Sequence, residues 1–166
     1  MNLDEKVIRV LEIIENNARI PLSTLAKMVN LSEADVTEII KDLEKRNIIA
    51  SYVSVINWSK LTEQEMVTAL IDVKVTPKRG VGFDDVAERI YRFPQVKSVY
   101  LMSGAFDLSV EVEGKTMLEV ASFVSDKLAT IDSVISTSTH FILKKFKHDG
   151  VILGENEKDR RMIIQP

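Results

Sequence analysis

The sequence predicts an α+β protein in which an N-terminal winged helix-turn-helix is followed by a ferredoxin-like βαββαβ domain. Two observations predict this fold class. Before residue 46, apolar residues recur at helical spacing in three short segments. After residue 65, strand-like segments of alternating apolar and polar residues are interspersed with two segments of helical spacing. We assign residues 1–57 to the first domain, 58–64 to a polar linker, 65–148 to the second domain and 149–166 to a C-terminal extension.

The composition is typical of a globular protein and excludes several kinds of chemistry. Of the 166 residues, 45% are hydrophobic and 28% are charged, the net charge is −3, and cysteine is absent. Without cysteine the chain forms no disulfides and no thiolate metal sites. The small net charge gives no general attraction to nucleic acids or membranes. The N-terminus lacks the pattern of a secretory signal, and no apolar run approaches the ~18 residues of a membrane span, so we expect a cytoplasmic protein.

Three amphipathic helices are predicted in the first domain. Ser32, with Asp35 three residues later, matches a capping box and marks the start of the third helix. The second and third helices match a helix-turn-helix, and residues 47–56 predict a β-hairpin wing. A plain three-helix bundle with a β-extension is the alternative; the order of elements favours DNA binding by analogy. The apolar stripes are Val7, Val10, Leu11 and Ile14; Leu22, Leu25, Ala26 and Val29; and Val36, Ile39, Ile40 and Leu43.

The third helix is the predicted DNA-reading element, and its overall charge is unfavourable for that role. Residues 32–46 carry five acidic and three basic side chains, a net charge of −2, whereas phosphate contacts need positive charge. We predict that Asp35 and Glu38 accept hydrogen bonds from cytosine amino groups and that Thr37 meets a thymine methyl group. Weak or strongly site-dependent binding is expected unless several copies act together. The candidate DNA-binding residues are Ser32, Glu33, Asp35, Thr37, Glu38, Lys41, Lys45 and Arg46.

The second domain is predicted to follow the order β-α-β-β-α-β, with both helices on one face of the sheet. Alternating residues place strands at 66–75, 96–102, 107–113 and 134–146. The helix stripes are Phe83, Val86, Ala87 and Ile90, and then Met117, Val120, Ala121, Val124 and Leu128.

The sheet face opposite the helices is predicted to be an exposed apolar surface. It carries Tyr100, Met102, Ile142 and Phe146. Such a surface is most often covered by a second copy related by a two-fold axis.

The C-terminal extension is predicted to form a returning β-hairpin that covers a sheet edge. Two apolar triplets, Val151–Leu153 and Met162–Ile164, flank a charged stretch and supply its strands. A disordered tail is the alternative.

The connection between the second and third strands of this domain combines a glycine with a carboxylate. Gly104 permits a positive φ and a close backbone approach, and Asp107 places its carboxylate at the mouth of the turn. A plain hairpin turn, in which Asp107 only caps its own loop, is the alternative.

The chain as a whole resembles the leucine-responsive regulator/AsnC (feast/famine) family of prokaryotic transcription regulators. The resemblance rests on the order of the modules and on short motifs rather than on any one of them. These motifs are Leu25-Ala26, Leu31-Ser32 and Leu43-Glu44 running into Asn47-Ile48-Ile49, and then Ser103–Leu108, Gly114, Ile131 and Thr137–Thr139.

This resemblance implies a cytoplasmic DNA-binding regulator that dimerises through its second domain and assembles further into octamers or similar rings. It implies that an amino acid or related metabolite binds near the Gly-x-x-Asp turn, at a junction between subunits, and changes assembly or DNA affinity. No cofactor or metal is implied. The matching effector-binding positions are Ser103, Gly104 and Asp107 in the turn, with Thr137 and Thr139 on the last strand.

Two other functions stay open from the sequence. The acidic third helix is compatible with a metabolite sensor or protein-interaction module whose DNA binding is degenerate. The same two-module order also resembles sirohaem decarboxylases, in which the segment around the second and third strands is rich in histidine and arginine. Here Val99–Val112 contains neither, and the chain has only His140 and His148, so we expect no enzymatic activity.

Overall fold

Two compact units make up the structure, a computed structural model that describes residues 3–60, 66–76 and 82–154. The units are Met1–Ser54 and Val55–Pro166. The domain boundaries at residues 57 and 64 stay predictions. In the described part of the chain, no helix is long and apolar enough to cross a membrane.

Three helices form the first unit: α1 (Leu3–Asn16), α2 (Leu22–Val29) and α3 (Glu33–Lys45). Their apolar stripes pack against one another, so the three predicted helices are confirmed. α2 ends at Asn30, whose φ of 52° is left-handed, a conformation that asparagine tolerates at helix ends. The capping box predicted at Ser32 begins α3 and is also confirmed. The buried residues of this core are Val10, Ile13, Ile14, Leu25, Ala26, Val29 and Val36.

The β-hairpin predicted for residues 47–56 is wrong, because residues 47–57 contain no strand. The start of this segment ends α3 instead. Asn47 is left-handed, with a φ of 55°, and the N–H groups of Ile48 and Ile49 donate to the Leu43 carbonyl at 2.8 and 3.2 Å. Backbone groups that close a helix in this way do not join a strand ladder. Val53, one of the apolar residues that suggested the wing, is 78% exposed.

The second unit has the predicted βαββαβ order, which confirms the ferredoxin-like domain. Its antiparallel four-stranded sheet has the strand order β2-β3-β1-β4. The elements are β1 (Val67–Val75), α4 (Phe83–Tyr91), β2 (Val96–Leu101), β3 (Leu108–Gly114), α5 (Met117–Phe123, continued by a π-helical turn at Val124–Leu128) and β4 (Val134–Phe141).

One face of this sheet forms the core together with α4 and α5. Burial of each apolar side chain of this size contributes about 1.5–3 kcal/mol, so this face holds the unit together. Gly114 allows α5 to pack closely, because a Cβ atom there would lie 3.0 Å from Val120 Cγ2. The buried residues are Ala69, Ile71, Val73, Val75, Val86, Ile90, Leu108, Val110, Val112, Val120, Phe123 and Leu128.

The opposite face, which we call the open face, is more polar than predicted, and Tyr100 and Leu70 are exposed apolar side chains among its polar ones. Of its four predicted apolar residues only Tyr100 lies on a strand, because β2 ends at Leu101 and β4 at Phe141. Cross-strand partners share a face, and Tyr100 lies opposite Ser109. Lys145 Nζ lies 3.7 Å from carboxylate oxygens of both Glu111 and Glu113 on β3. The residues after β4 therefore reach over the open face.

The C-terminal extension forms a hairpin with partners other than those predicted. β5 (Lys147–His148) pairs with β6 (Val151–Ile152) around Asp149 and Gly150, which have positive φ angles of 44° and 78°. The second predicted strand, Met162–Ile164, lies outside the described residues. Asn57 Nδ2 donates to the carbonyl of Leu153 at 2.9 Å, which links the hairpin to the residues that precede the linker.

Candidate functional site

Asp107 ties the connection between β2 and β3 to the neighbouring strand β1. Its Oδ2 accepts from the Val75 N–H at 2.8 Å, its Oδ1 from Lys74 Nζ at 3.2 Å, and its own N–H donates to the Val73 carbonyl at 3.0 Å. Its carbonyl accepts from the Met102 N–H at 2.8 Å, which closes the connection between β2 and β3. Asp107 therefore fixes the shape of this connection.

The reason Val75 needs a side-chain acceptor lies in the sheet register. The β1–β3 ladder ends at Val73 and Leu108, and the β1–β4 register shifts between Lys74 and Val75. Backbone N–H groups that leave a ladder need another partner when they are buried. The Asp107 carboxylate supplies that partner.

The same contacts set the charge of Asp107. The hydrogen bond from the Val75 backbone N–H lowers the pKa of Asp107, partial burial opposes this effect, and Lys74 lowers it further. The carboxylate is therefore ionised at neutral pH. Its side chain is 20% exposed and that of Lys74 39%, so the pair is open to solvent and to a ligand.

Ser103 and Gly104 lie in the exposed part of the connection. Gly104 does not adopt the positive φ that glycine permits: among the described glycines only Gly150 has one. A Cβ atom at Gly104 would have no neighbour within 4 Å. The turn therefore leaves free space at its tip, where backbone groups are accessible from outside the chain.

Thr137 and Thr139 lie on the far side of β1 from this turn. They pair with Val73 and Ile71, so they belong to the helix-covered face and are half-buried. One strand separates them from Asp107, a distance of roughly 10 Å. The structure thus places Ser103, Gly104 and Asp107 in one connection, where Asp107 contacts Lys74 of β1. Thr137 and Thr139 of the same chain do not reach this connection.

In the first unit, two of the predicted DNA contacts are used to begin α3. The Ser32 hydroxyl donates to Asp35 Oδ2 at 2.6 Å and accepts from the Asp35 N–H at 3.1 Å, while the Ser32 N–H donates to Asp35 Oδ2 at 3.3 Å. The Ser32 side chain lowers the pKa of Asp35, as does the Ser32 N–H. The Asp35 carboxylate is therefore occupied by the cap.

Two further acidic residues of α3 have partners within the unit. Asp42 Oδ2 accepts from Arg46 Nη1 at 3.0 Å. Glu44 Oε1 accepts from the Tyr52 hydroxyl at 2.8 Å. Burial raises the pKa of Tyr52, and Glu44 raises it further, so the phenol stays a donor.

The remaining predicted DNA-contacting residues differ in whether their polar groups are already bonded within the protein. The Thr37 hydroxyl donates to the Glu33 carbonyl at 2.7 Å, so its polar group is used within the helix. Glu33, Glu38, Lys41 and Lys45 are exposed. These four side chains, with the Thr37 methyl group, are available to a ligand.

Sequence reasoning missed Lys74 and an open groove of about 500 Å³ in the second unit. Lys74 pairs with Asp107 through the sheet register, and no local motif signals that pairing. The groove contains none of the predicted site residues. It is lined by Arg89, Arg92, Phe93, Asp126, Lys127, Thr130, Ile131 and Asp132.

Two family models match the chain: the Lrp/AsnC ligand binding domain over residues 68–152 and a winged helix-turn-helix DNA-binding domain over residues 3–50. YugG, an uncharacterized HTH-type transcriptional regulator of Bacillus subtilis strain 168, is 56% identical over 166 residues and covers 100% of both chains.

Solved structures share the fold at lower identity. One is a transcriptional regulator of Neisseria meningitidis in complex with L-methionine, with a TM-score of 0.70, 24% identity, and coverage of 89% of this chain and 94% of that one. Another is a feast or famine regulatory protein of M. tuberculosis complexed with L-methionine, with a TM-score of 0.72, 22% identity, and coverage of 92% and 100%.

Proposed function

Because the chain belongs to the Lrp/AsnC family of HTH-type transcriptional regulators, we propose that it binds DNA sequence-specifically under the control of an amino acid or related metabolite. One observation carries this proposal: a helix-turn-helix and an Lrp/AsnC ligand binding domain occur together in one chain. The ligand changes either the assembly of the protein or its affinity for DNA, and the protein acts in the cytoplasm.

The effector binds at the connection that carries Ser103, Gly104 and Asp107. Two solved structures of similar fold hold L-methionine, and a free amino acid needs an anion for its ammonium group and N–H donors for its carboxylate. Asp107 is an ionised, partly exposed carboxylate, and each of its oxygens can accept more than one hydrogen bond. The effector ammonium either displaces the Lys74 ammonium from the Asp107 carboxylate or shares that carboxylate with it. Either is possible because ion pairs open to solvent contribute little stability.

The site lies at a junction between subunits. Thr137 and Thr139 lie across β1 from the turn of their own chain, so they reach the effector only from another copy. A ligand shared by two copies couples its occupancy to assembly, because it binds one assembly state more tightly than the other.

The second unit is the dimerisation module, and its open face is the surface that meets the second copy. Tyr100 and Leu70 are 55% and 38% exposed there. Further assembly of dimers into octamers or similar rings would multiply weak DNA contacts. In a dimer, two copies of α3 read half-sites about 34 Å apart.

Lys41 and Lys45 of α3 contact DNA phosphates.

A metabolite sensor with degenerate DNA binding is the second candidate function, and the five acidic side chains within residues 32–46 favour it. We propose no enzymatic role, because Val99–Val112 contains no histidine or arginine.

Selection of genomic fragments by the purified protein, with and without a mixture of the twenty amino acids, tests this function. We expect a small set of enriched fragments whose recovery changes with the mixture. Recovery of no fragment above background under either condition contradicts DNA regulation and favours the sensor.

A further inference from the structure

One face of α3 points away from the core and carries side chains that can reach DNA. Ala34, Thr37, Glu38, Lys41 and Lys45 stand at positions i, i+3, i+4, i+7 and i+11, which share one face of an α-helix. We call them the outward stripe. Val36 and Leu43, on the opposite side, are 0% and 2% exposed.

The outward stripe has the opposite charge balance from the segment as a whole. It contains two lysines and one glutamate, a net charge of +1, whereas residues 32–46 sum to −2. Of the other four acidic residues, Asp35 is held in the cap, Asp42 pairs with Arg46, Glu44 accepts from Tyr52, and Glu33 is exposed outside the stripe. The outward stripe itself therefore carries a small positive charge, which favours its approach to phosphates.

Resting on the proposed function, we propose that α3 reads pyrimidines, with the Ala34 and Thr37 methyl groups on thymine methyls and Glu38 on a neighbouring cytosine. The N-terminal part of a reading helix contacts base edges, and these three residues occupy it. Lys41 and Lys45, further along the helix, contact phosphates.

The assignment of Thr37 follows from its hydrogen bond. Its hydroxyl donates to the Glu33 carbonyl at 2.7 Å, which leaves the methyl group as the part that meets a base. Ala34 likewise offers only a methyl group one turn earlier. In the major groove the thymine C5 methyl is the apolar partner for such groups.

The assignment of Glu38 follows from its lack of a donor. A carboxylate only accepts hydrogen bonds, so it selects bases that present an amino group in the major groove, namely cytosine and adenine. Adenine presents the acceptor N7 beside its amino group, which repels a carboxylate. Cytosine has no acceptor of its own at that edge.

Deoxyuridine, which lacks only the thymine C5 methyl group, provides the test. A tight-binding duplex is selected from a random pool, and each thymine is replaced in turn. We expect one or two positions at which deoxyuridine weakens binding of the wild-type protein about three- to fivefold, the effect of one buried methyl group. Thr37→Ser keeps the hydroxyl and should lose this sensitivity at one position, whereas Thr37→Val keeps the methyl and should retain it.

Thr130→Ser is the matched control, because the Thr130 hydroxyl also donates to carbonyls of its own helical turn, at 3.2 and 2.9 Å, in the other unit. It should bind like wild type. Glu38→Gln should move the preference at one position from cytosine to adenine by about tenfold, since glutamine pairs with adenine through two hydrogen bonds.

Equal deoxyuridine sensitivity of the wild type and Thr37→Ser, or an unchanged cytosine preference in Glu38→Gln, overturns the pyrimidine assignment while DNA binding stands. Failure of the wild-type protein to enrich any duplex from the pool overturns the proposed function itself.

Discussion

Asp35 and Asp107 show how one chemical arrangement behaves in two regions of the molecule. Each carboxylate accepts from a backbone N–H and from a neighbouring side chain, and each has a lowered pKa. Both were predicted from the sequence to face a ligand. Asp35 instead holds the first turn of α3, and Asp107 holds the end of β1 while staying 20% exposed.

The two carboxylates differ in how far along the chain their partners lie. Asp35 binds Ser32, three residues away, whereas Asp107 binds the N–H of Val75, 32 residues away. Asp35 is exposed, and its hydrogen bonds to Ser32 stabilise the start of its own helix. Asp107 ties the connection before β3 to β1, so we expect a ligand bound to it to affect the sheet.

Asp107→Ala is the substitution with the largest expected effect. It removes the acceptor for Val75 and the partner of Lys74, so we expect loss of the response to any amino-acid effector and a lower thermal midpoint. Asp107→Asn keeps an oxygen for the Val75 N–H and removes the charge. It should retain most of the stability and still lose effector binding, as measured by calorimetry against the twenty amino acids.

Asp132→Ala, which removes an exposed carboxylate from the same unit, serves as the control for these two variants. It should bind the effector as wild type does. Unchanged effector binding in Asp107→Asn would show that Asp107 has the same purely structural role as Asp35.

Ser32→Ala tests the local member of the comparison. Loss of an N-cap side chain costs about 1 kcal/mol, so the first unit should unfold at a lower urea concentration. DNA affinity should fall equally for all sequences, because the helix start is loosened but no base contact is lost. A change in base preference in binding-site selection would instead place Ser32 at the DNA.

Lys41→Ala tests the phosphate contact proposed for the outward stripe, a role that the capping residues Ser32 and Asp35 do not share. Removal of one phosphate contact should weaken binding to every sequence and reduce the salt slope by about one. Gel-shift titrations at two salt concentrations measure both quantities. Lys115→Ala, which removes an exposed lysine of the second unit, should leave the salt slope unchanged. If the salt slope fell equally in both variants, the effect would come from the net charge of the protein and not from a contact of Lys41.

Acidification should act on both carboxylates in the same direction, with the smallest effect of the set. Their folded pKa values lie below the unfolded ones, so the unfolded chain binds protons first as the pH falls. The stability they provide is complete above the usual carboxyl range near pH 4 and is lost as pH falls further through the lowered folded values. Urea unfolding between pH 5 and pH 3 should therefore show less acid sensitivity in Asp107→Asn than in the wild type.

Local patterns explain why much of the fold was predictable. The helical stripes and the Ser32–Asp35 capping box depend on neighbours within a few residues, and the alternating strands depend only on which side is buried. The hairpin prediction failed because Asn47 and Ile48 close α3, which the mixed apolar and serine pattern of residues 48–56 does not reveal. The polar open face and the Lys74–Asp107 pair depend on strand ends and register, which the alternation of one strand does not contain.

Sedimentation velocity of the purified protein, with and without an amino-acid mixture, tests the central claim of ligand sensing between copies most directly. We predict dimers or larger assemblies whose distribution shifts when the mixture is added, and no such shift in Asp107→Asn. A single monomeric species under both conditions would contradict the claim.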